Sequence, residues 1–134
     1  MENAIPHPYS DESSTAGIEH STKHAQQVDG EYLGLATHDG LSLQLTRYIA
    51  SSAVPATERQ GVVLLAHGFG QTRHAWHYSA QAMAVQGWEV FSYDARGHGD
   101  SGRPADGHYT LDQFIDDFRR VHAHVVQQSG HAPV

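Results

Sequence analysis

Cysteine is absent from the chain, and basic residues are scarce, with 8 Lys and Arg against 15 Asp and Glu. The lack of cysteine excludes disulfides and thiol chemistry and suits a reducing compartment. The formal charge of −7, with no basic cluster, argues against a nucleic acid or an anionic membrane surface as the main partner. We therefore expect no nucleic-acid partner.

Long apolar runs are also missing. No stretch approaches the length of a membrane span, and the first residues, MENAIPHPYSDESS, lack the basic and apolar regions of a secretion signal. We therefore expect no membrane span and a cytoplasmic location. Residues 1–30 are polar and have no sustained apolar period, so they are expected to form a flexible leader. The folded part is expected within residues 31–134.

Twelve histidines are present, and two pairs of them have spacings that suit metal binding. These pairs are His74-X-X-His77 and His122-X-His124. Neither a cysteine nor a cluster of carboxylates completes a tetrahedral set beside them. We therefore expect histidines that face solvent on helices, and no metal.

The apolar pattern predicts several strands. EYLGLAT and LSLQLTRYI alternate apolar and polar residues on either side of Asp39-Gly40, which is typical of an antiparallel hairpin. VVLLA is a continuous apolar run that suits a strand covered on both faces, and WEVFSYD predicts the next strand. The final residues, APV, resemble the start of one more strand.

Two helices are predicted between and after these strands. The first runs from about Thr72 to Gln86 and ends at Gly87. The second begins after Thr110, which caps it with Gln113 as the reciprocal partner. Its apolar residues recur at steps of three and four and predict one buried stripe: Leu111, Phe114, Phe118, Val121 and Val125. The fold class is therefore α/β, an antiparallel hairpin leading into a mainly parallel sheet with crossover helices.

In such a sheet, chemistry is expected in the loops at the carboxyl ends of the strands. The loop after VVLLA places Gly68 and Gly70 at the spacing of a dinucleotide-binding turn. Arg73 stands where the third glycine of that fingerprint belongs, and its side chain would obstruct the packing of helix on strand. No Gly-Lys-Ser/Thr sequence occurs either. We therefore expect no cofactor.

Taken together, VVLLAHGFGQTRHAW, GWEVFSYDARGHGDSGRP and the YTLDQFIDDF helix closely resemble the N-terminal half of an α/β-hydrolase. In that superfamily, strand-His-Gly-X supplies part of the oxyanion hole, and Asp-X-Arg-Gly-X-Gly-X-Ser follows the next strand. The resemblance covers residues 31–134 and implies a partial α/β-hydrolase fold.

The resemblance implies that the backbone N–H of Phe69 lies in the oxyanion hole, because the superfamily donates one such group from this loop. Acyl transfer develops negative charge on a carbonyl oxygen, and preorganised N–H groups stabilise it. Gly68 and Gly70 have no β-carbon and would let substrate approach the backbone closely. For His67 the resemblance implies a bracing role through hydrogen bonds, since the catalytic base of this fold comes after the nucleophile and the acid.

Gly99-Asp100-Ser101-Gly102 matches the four residues around the nucleophile of trypsin-like proteases. A nucleophile elbow instead needs Gly-X-Ser-X-Gly between a strand and a helix, and here the second glycine comes one place early. Ser101 is therefore predicted to be a structural loop residue. Hydrogen bonds and charge pairs among Asp94, Arg96 and Ser101 are expected to hold the glycine-rich turn, which also contains Gly97.

No Gly-X-Ser-X-Gly occurs in the 134 residues. The nucleophile, acid and base are therefore expected beyond Val134, so the chain is expected to be a truncated hydrolase that is inactive alone. Its full-length form is expected to cleave a small ester-like substrate through a serine nucleophile. Three alternatives remain: an epoxide or haloalkane hydrolase, a peroxidase with a different elbow residue, or a non-catalytic binding fragment.

The superfamily's strand order leaves one edge of the VVLLA strand open in this chain. Unpaired apolar edges recruit other strands. We therefore expect poor solubility, low stability and self-association through this edge.

Overall fold

A computed structural model describes residues 28–130 and 133–134 of the chain. Its described part contains a four-stranded mixed sheet: β1 (Gly30–Ala36), β2 (Ser42–Tyr48), β3 (Gly61–Ala66) and β4 (Trp88–Tyr93). Two α-helices follow β3 and β4, namely α1 (His77–Val85) and α2 (Leu111–Gln128). Short 3-10 helices at Ala56–Glu58 and Arg73–Trp76 precede β3 and α1.

The sheet has the order β1-β2-β4-β3. β1 and β2 form the predicted antiparallel hairpin, whose turn contains Gly40 at a φ of 87°. β2 also pairs antiparallel with β4, and β4 pairs parallel with β3. Within the described residues β3 pairs with a strand on one side only, so its other edge is open, as expected.

The period-two alternation of the strands divides the core between the two faces of the sheet. On one face, α2 packs through Val121 and Val125 on a cluster that includes Leu43, Leu45 and Phe91. On the other face, α1 packs through Ala80 and Ala84 on a cluster that includes Tyr48 and Val90. The predicted α/β architecture is confirmed: β4 is covered on both faces, and its carboxyl end lies beside that of β3.

The first predicted helix is two elements, because residues 73–76 form a 3-10 turn before α1 begins at His77. Gly87 follows α1 with a φ of 102°, a conformation that favours glycine and ends the helix. The predicted capping box of α2 is present: Gln113 N–H donates to Thr110 Oγ1 over 3.2 Å, and Thr110 N–H donates to Gln113 Oε1 over 3.0 Å.

The single buried stripe predicted for α2 is wrong in its first half. Val121 and Val125 are fully buried, whereas Leu111 is 72% exposed and Phe118 is 42% exposed. The reason is position: the second half of α2 lies over the sheet, and the first half lies over the loops beyond the strand ends, where Phe114 meets Phe69.

Two further expectations concern the ends of the chain. Residues 1–27, most of the expected leader, lie outside the described residues, and β1 begins at Gly30, within the range assigned to that leader. The expected strand at Ala132–Val134 lies partly outside them, and Pro133 and Val134 belong to no strand. No helix of the described part is long and apolar enough to cross a membrane.

Candidate active site

Two loops meet at the carboxyl ends of β3 and β4. The first, residues 67–72, is called the oxyanion loop below, and the second, residues 94–104, the glycine-rich loop. β3 and β4 are parallel neighbours in register, with Ala66 opposite Tyr93. The two loops therefore leave the sheet side by side, which brings the two groups of predicted site residues together.

Three backbone N–H groups of the oxyanion loop donate within the protein. Gly68 N–H donates to Gln71 Oε1 over 3.2 Å, and Gly70 N–H donates to His98 Nε2 over 3.3 Å. Gln71 N–H donates to Gly68 O over 3.1 Å. Phe69 N–H, between them, donates to no described acceptor. The loop thus holds one free N–H group between two that are fixed.

Phe69 also lines a cavity of about 520 Å³. Phe69 forms one wall, with its ring edge-on to Phe114 at 5.4 Å between centroids, and Tyr109 stacks on Phe114 at 6.2 Å. The lining is mainly apolar and comprises Phe69, Gly97, His98, Tyr109, Thr110, Leu111 and Phe114. Such a cavity suits an apolar group of a small molecule.

His67 joins the two loops. Its Nε2 accepts a hydrogen bond from Ala95 N–H over 3.0 Å, and its Nδ1 lies 2.8 Å from Gly68 O. Both ring nitrogens are therefore occupied by backbone groups. This arrangement is that of a residue holding the loop, not of a base free to take a proton from a substrate.

Ser101 is 5% exposed, and its hydroxyl is fully engaged. It donates to Asp94 O over 2.6 Å and accepts from Gln44 N–H over 2.9 Å. A nucleophilic serine needs its oxygen exposed and bonded to a base. Neither condition holds here, so the hydroxyl ties the glycine-rich loop to β2.

The charge pairs were predicted to form within the glycine-rich loop, but they instead join this loop to other elements. Arg96 donates from Nε to Asp117 Oδ2 over 2.7 Å on α2 and from Nη1 to Asp39 Oδ2 over 2.9 Å in the hairpin turn. These bonds hold the pKa of Asp39 well below its usual range, with a further bond from Thr37, and raise that of Arg96. The loop is thus anchored to two neighbouring elements, because the guanidinium is long enough to reach both.

Arg73 has a role that sequence reasoning missed. Instead of obstructing helix packing it is buried, ion-paired with Asp94 and 3.0 Å from Asp100 Oδ2, and its Nε donates to Thr46 Oγ1 over 2.9 Å. Its backbone N–H also donates to Asp94 Oδ1 over 2.6 Å. The sequence contained a signal for this role. Asp94 directly follows a buried strand, so its carboxylate needs a cation nearby. Arg73 is the first Lys or Arg after the preceding strand, β3.

Comparison with known proteins identifies this arrangement. The profile of the family described as serine aminopeptidase, S33, matches residues 57–134. The chain belongs to this family. A solved α/β-hydrolase from Novosphingobium aromaticivorans is 24% identical with a TM-score of 0.59, covering 72% of this chain and 32% of that one. The fold is therefore part of an α/β-hydrolase fold.

Curated relatives of this chain differ in their named activities. A monoacylglycerol lipase of Mycolicibacterium smegmatis is 40% identical over 67 residues, which are 50% of this chain and 24% of the lipase. Epoxide hydrolase A of Mycobacterium tuberculosis is 44% identical over 43 residues, which are 32% of this chain and 13% of that enzyme. The matched region spans about a quarter or less of these two relatives.

Two glycines permit close contacts in the glycine-rich loop. Gly97 has a φ of 75°, and a β-carbon there would overlap the ring of Tyr109. Gly99 has a φ of 49°, and a β-carbon there would overlap the carboxylate of Asp94. The loop can pass over Asp94 only because glycine stands at that position.

The histidine pairs form no candidate metal site in the described part of the chain, where no group of three His, Cys, Asp or Glu residues could hold an ion. His77 is not a solvent-facing residue as expected, because its Nδ1 lies 2.9 Å from the hydroxyl of Tyr48. His74 is exposed.

Proposed function

We propose that this chain supplies the oxyanion side of a serine hydrolase active site that cleaves a carboxylic ester or related acyl bond. The observation that carries the proposal is the free N–H of Phe69 among the described residues, at a residue that also lines an apolar cavity. A preorganised donor of this kind stabilises the negative charge that develops on a carbonyl oxygen, and removing one typically costs about 10²–10³ in kcat. The lipase relative supports ester chemistry.

In this proposal the cavity takes the apolar part of the substrate, and the glycine-rich loop is structural. His67, Gly68 and Gly70 shape the oxyanion loop, while Asp94, Arg96, Gly97, Gly99 and Ser101 hold the second loop. No Gly-X-Ser-X-Gly occurs among the 134 residues, so the nucleophile, acid and base belong to sequence outside them. We therefore expect no turnover of p-nitrophenyl butyrate by this chain alone.

The test uses a butylphosphonate monoester, a tetrahedral anion that mimics the intermediate of acyl transfer. Titrated into the labelled chain, it should shift the amide resonance of Phe69 more than those of Gly68 and Gly70, whose N–H groups are already bonded. Phe69→Pro removes the N–H and Phe69→Ala retains it, so only the alanine variant should keep the binding. Equal binding by both variants would refute the proposal.

Epoxide hydrolysis is the second candidate, favoured by the match to epoxide hydrolase A. Ester cleavage and epoxide opening both leave charge on an oxygen, so this half of the site suits either reaction. The elbow residue separates them, because a serine would favour esters and an aspartate would favour epoxides. Reading the coding region past Val134 and finding which elbow it encodes decides between the two.

Two expectations outside the chemistry stay predictions. Self-association through the open edge of β3 would appear as a mass above that of the monomer in light scattering, and a purely monomeric chain at high concentration would contradict it. A cytoplasmic location would be tested by cell fractionation.

A further inference from the structure

The oxyanion loop and the glycine-rich loop are joined by two hydrogen bonds of opposite direction. His67 of the first loop accepts from Ala95 N–H of the second over 3.0 Å, and His98 of the second accepts from Gly70 N–H of the first over 3.3 Å. The two imidazole rings lie 5.1 Å apart. Each loop therefore contributes one ring to a reciprocal contact, called the histidine clasp below.

The bonding fixes the protonation of both rings. A nitrogen that accepts from a backbone N–H carries no proton, so Nε2 is unprotonated in His67 and in His98. The remaining nitrogen faces a carbonyl in each case, with Nδ1 of His67 2.8 Å from Gly68 O and Nδ1 of His98 3.0 Å from Arg96 O. Both rings are thus assigned as neutral imidazoles with the proton on Nδ1.

We propose that His98 is a positioning residue for the oxyanion loop, holding the Phe69–Gly70 peptide through the histidine clasp. This inference rests on the proposed function of Phe69 N–H. Gly70 N–H belongs to the peptide that follows Phe69, whereas Phe69 N–H belongs to the peptide that precedes it, so fixing Gly70 N–H limits the rotation of Phe69 about its ψ angle, directly next to the donor. The His98 ring also contacts the ring of Phe69 at 5.8 Å between centroids. A donor held in place before the reaction needs no reorganisation during it.

The clasp requires that Nε2 of each ring carry no proton. A proton on Nε2 of His98 would place an N–H opposite the N–H of Gly70, and neither group could then accept from the other.

The charged groups around the clasp are engaged elsewhere and do not compete for its acceptor nitrogens. Arg103 Nη1 donates to Gly97 O over 2.6 Å next to His98. Arg96 and the nearby carboxylates of Asp94 and Asp100 form ion pairs of their own.

The experiment measures amide hydrogen exchange of Gly70 by NMR in the 134-residue chain at neutral pH. His98→Phe keeps an aromatic ring but removes the acceptor, and His98→Gln keeps an acceptor. His108→Phe is the matched control, because that side chain is 84% exposed and makes no hydrogen bond to either loop among the described residues.

The wild-type Gly70 amide should be protected about fivefold at neutral pH, the factor expected for one modest hydrogen bond. His98→Phe should abolish this protection after correction for intrinsic exchange, His98→Gln should retain it, and His108→Phe should behave as wild type. Long-range ¹H–¹⁵N spectra should show the His98 proton on Nδ1 at neutral pH.

Equal Gly70 protection in wild type and His98→Phe would overturn the inference, as would a proton on Nε2 of His98 at neutral pH. A loss of protection in His98→Gln as large as that in His98→Phe would also overturn it, because the glutamine retains an acceptor. None of these readouts uses catalysis or ligand binding. Failure of the clasp is therefore distinguishable from failure of Phe69 to bind the phosphonate anion.

Discussion

Replacing Arg96 with methionine is expected to destabilise the chain severely. Arg96 is 2% exposed and donates two hydrogen bonds to Asp117, of 2.7 and 2.9 Å, and two to Asp39, of 2.9 and 3.0 Å. Methionine fills much of the same space but leaves the Asp117 carboxylate buried without a cation. Breaking a buried pair in this way costs about 3–5 kcal/mol.

That cost is comparable with the whole free energy of unfolding of a small domain, about 5–15 kcal/mol. The assay is urea unfolding followed by circular dichroism. Arg119→Met is the matched control, because Arg119 pairs with Asp116 at 3.5 Å while both side chains are largely exposed. The control should cost no more than about 1 kcal/mol, as exposed pairs contribute little.

The double variant Arg96→Met with Asp117→Leu separates the buried charge from loss of packing. Removing both partners of a buried pair is often neutral, so the double variant should recover at least about 2 kcal/mol relative to Arg96→Met. The reasoning is refuted if the single variant costs less than about 1 kcal/mol, or if the double variant is no more stable than the single one.

Two other perturbations test the glycine-rich loop and its anchor. Gly99→Ala should lower the free energy of unfolding by more than about 2 kcal/mol, because the new methyl group meets the Asp94 carboxylate. Gly107→Ala, at a similar positive φ but with open space around it, should lower it by only about 1 kcal/mol. Equal losses in the two variants would contradict the contact with Asp94. Arg96 lowers the pKa of Asp39, so this pair stabilises the fold above the ordinary carboxyl pKa of 3.8 and is lost as pH falls below it. The pH dependence of urea unfolding should therefore be shallower in Asp39→Asn than in wild type in that acidic range.

Local patterns predicted the elements of the fold well because each was specified by nearby residues. The alternation of β2, the apolar run of β3 and the capping box of α2 each lie within a few positions of one another. The burial of α2 was predicted less well, since periodicity shows which residues share a face but not how far the sheet extends beneath them. Leu111 and Phe118 are exposed for that reason.

The positions of the two loops were also predictable, because parallel strands end at the same edge of a sheet. Their long-range partners were not. Arg96 reaches Asp39, 57 positions earlier, and Asp117, 21 positions later, and nothing in the local sequence selects these carboxylates over others. Asp117 offered a weak signal, since a carboxylate one turn before Val121 lies on the apolar side of α2 and requires a partner.

The ion pairs and the histidine clasp act on the candidate site at different levels. Arg73 binds Asp94, and Arg96 binds Asp117, so both loops are fixed to the sheet and to α2 by charges buried away from the cavity. These pairs set where the loops lie. The contacts of His67 and His98 then set how the backbone of one loop faces the other. The proposed oxyanion donor is therefore held in place by described residues of the two loops, the sheet and α2.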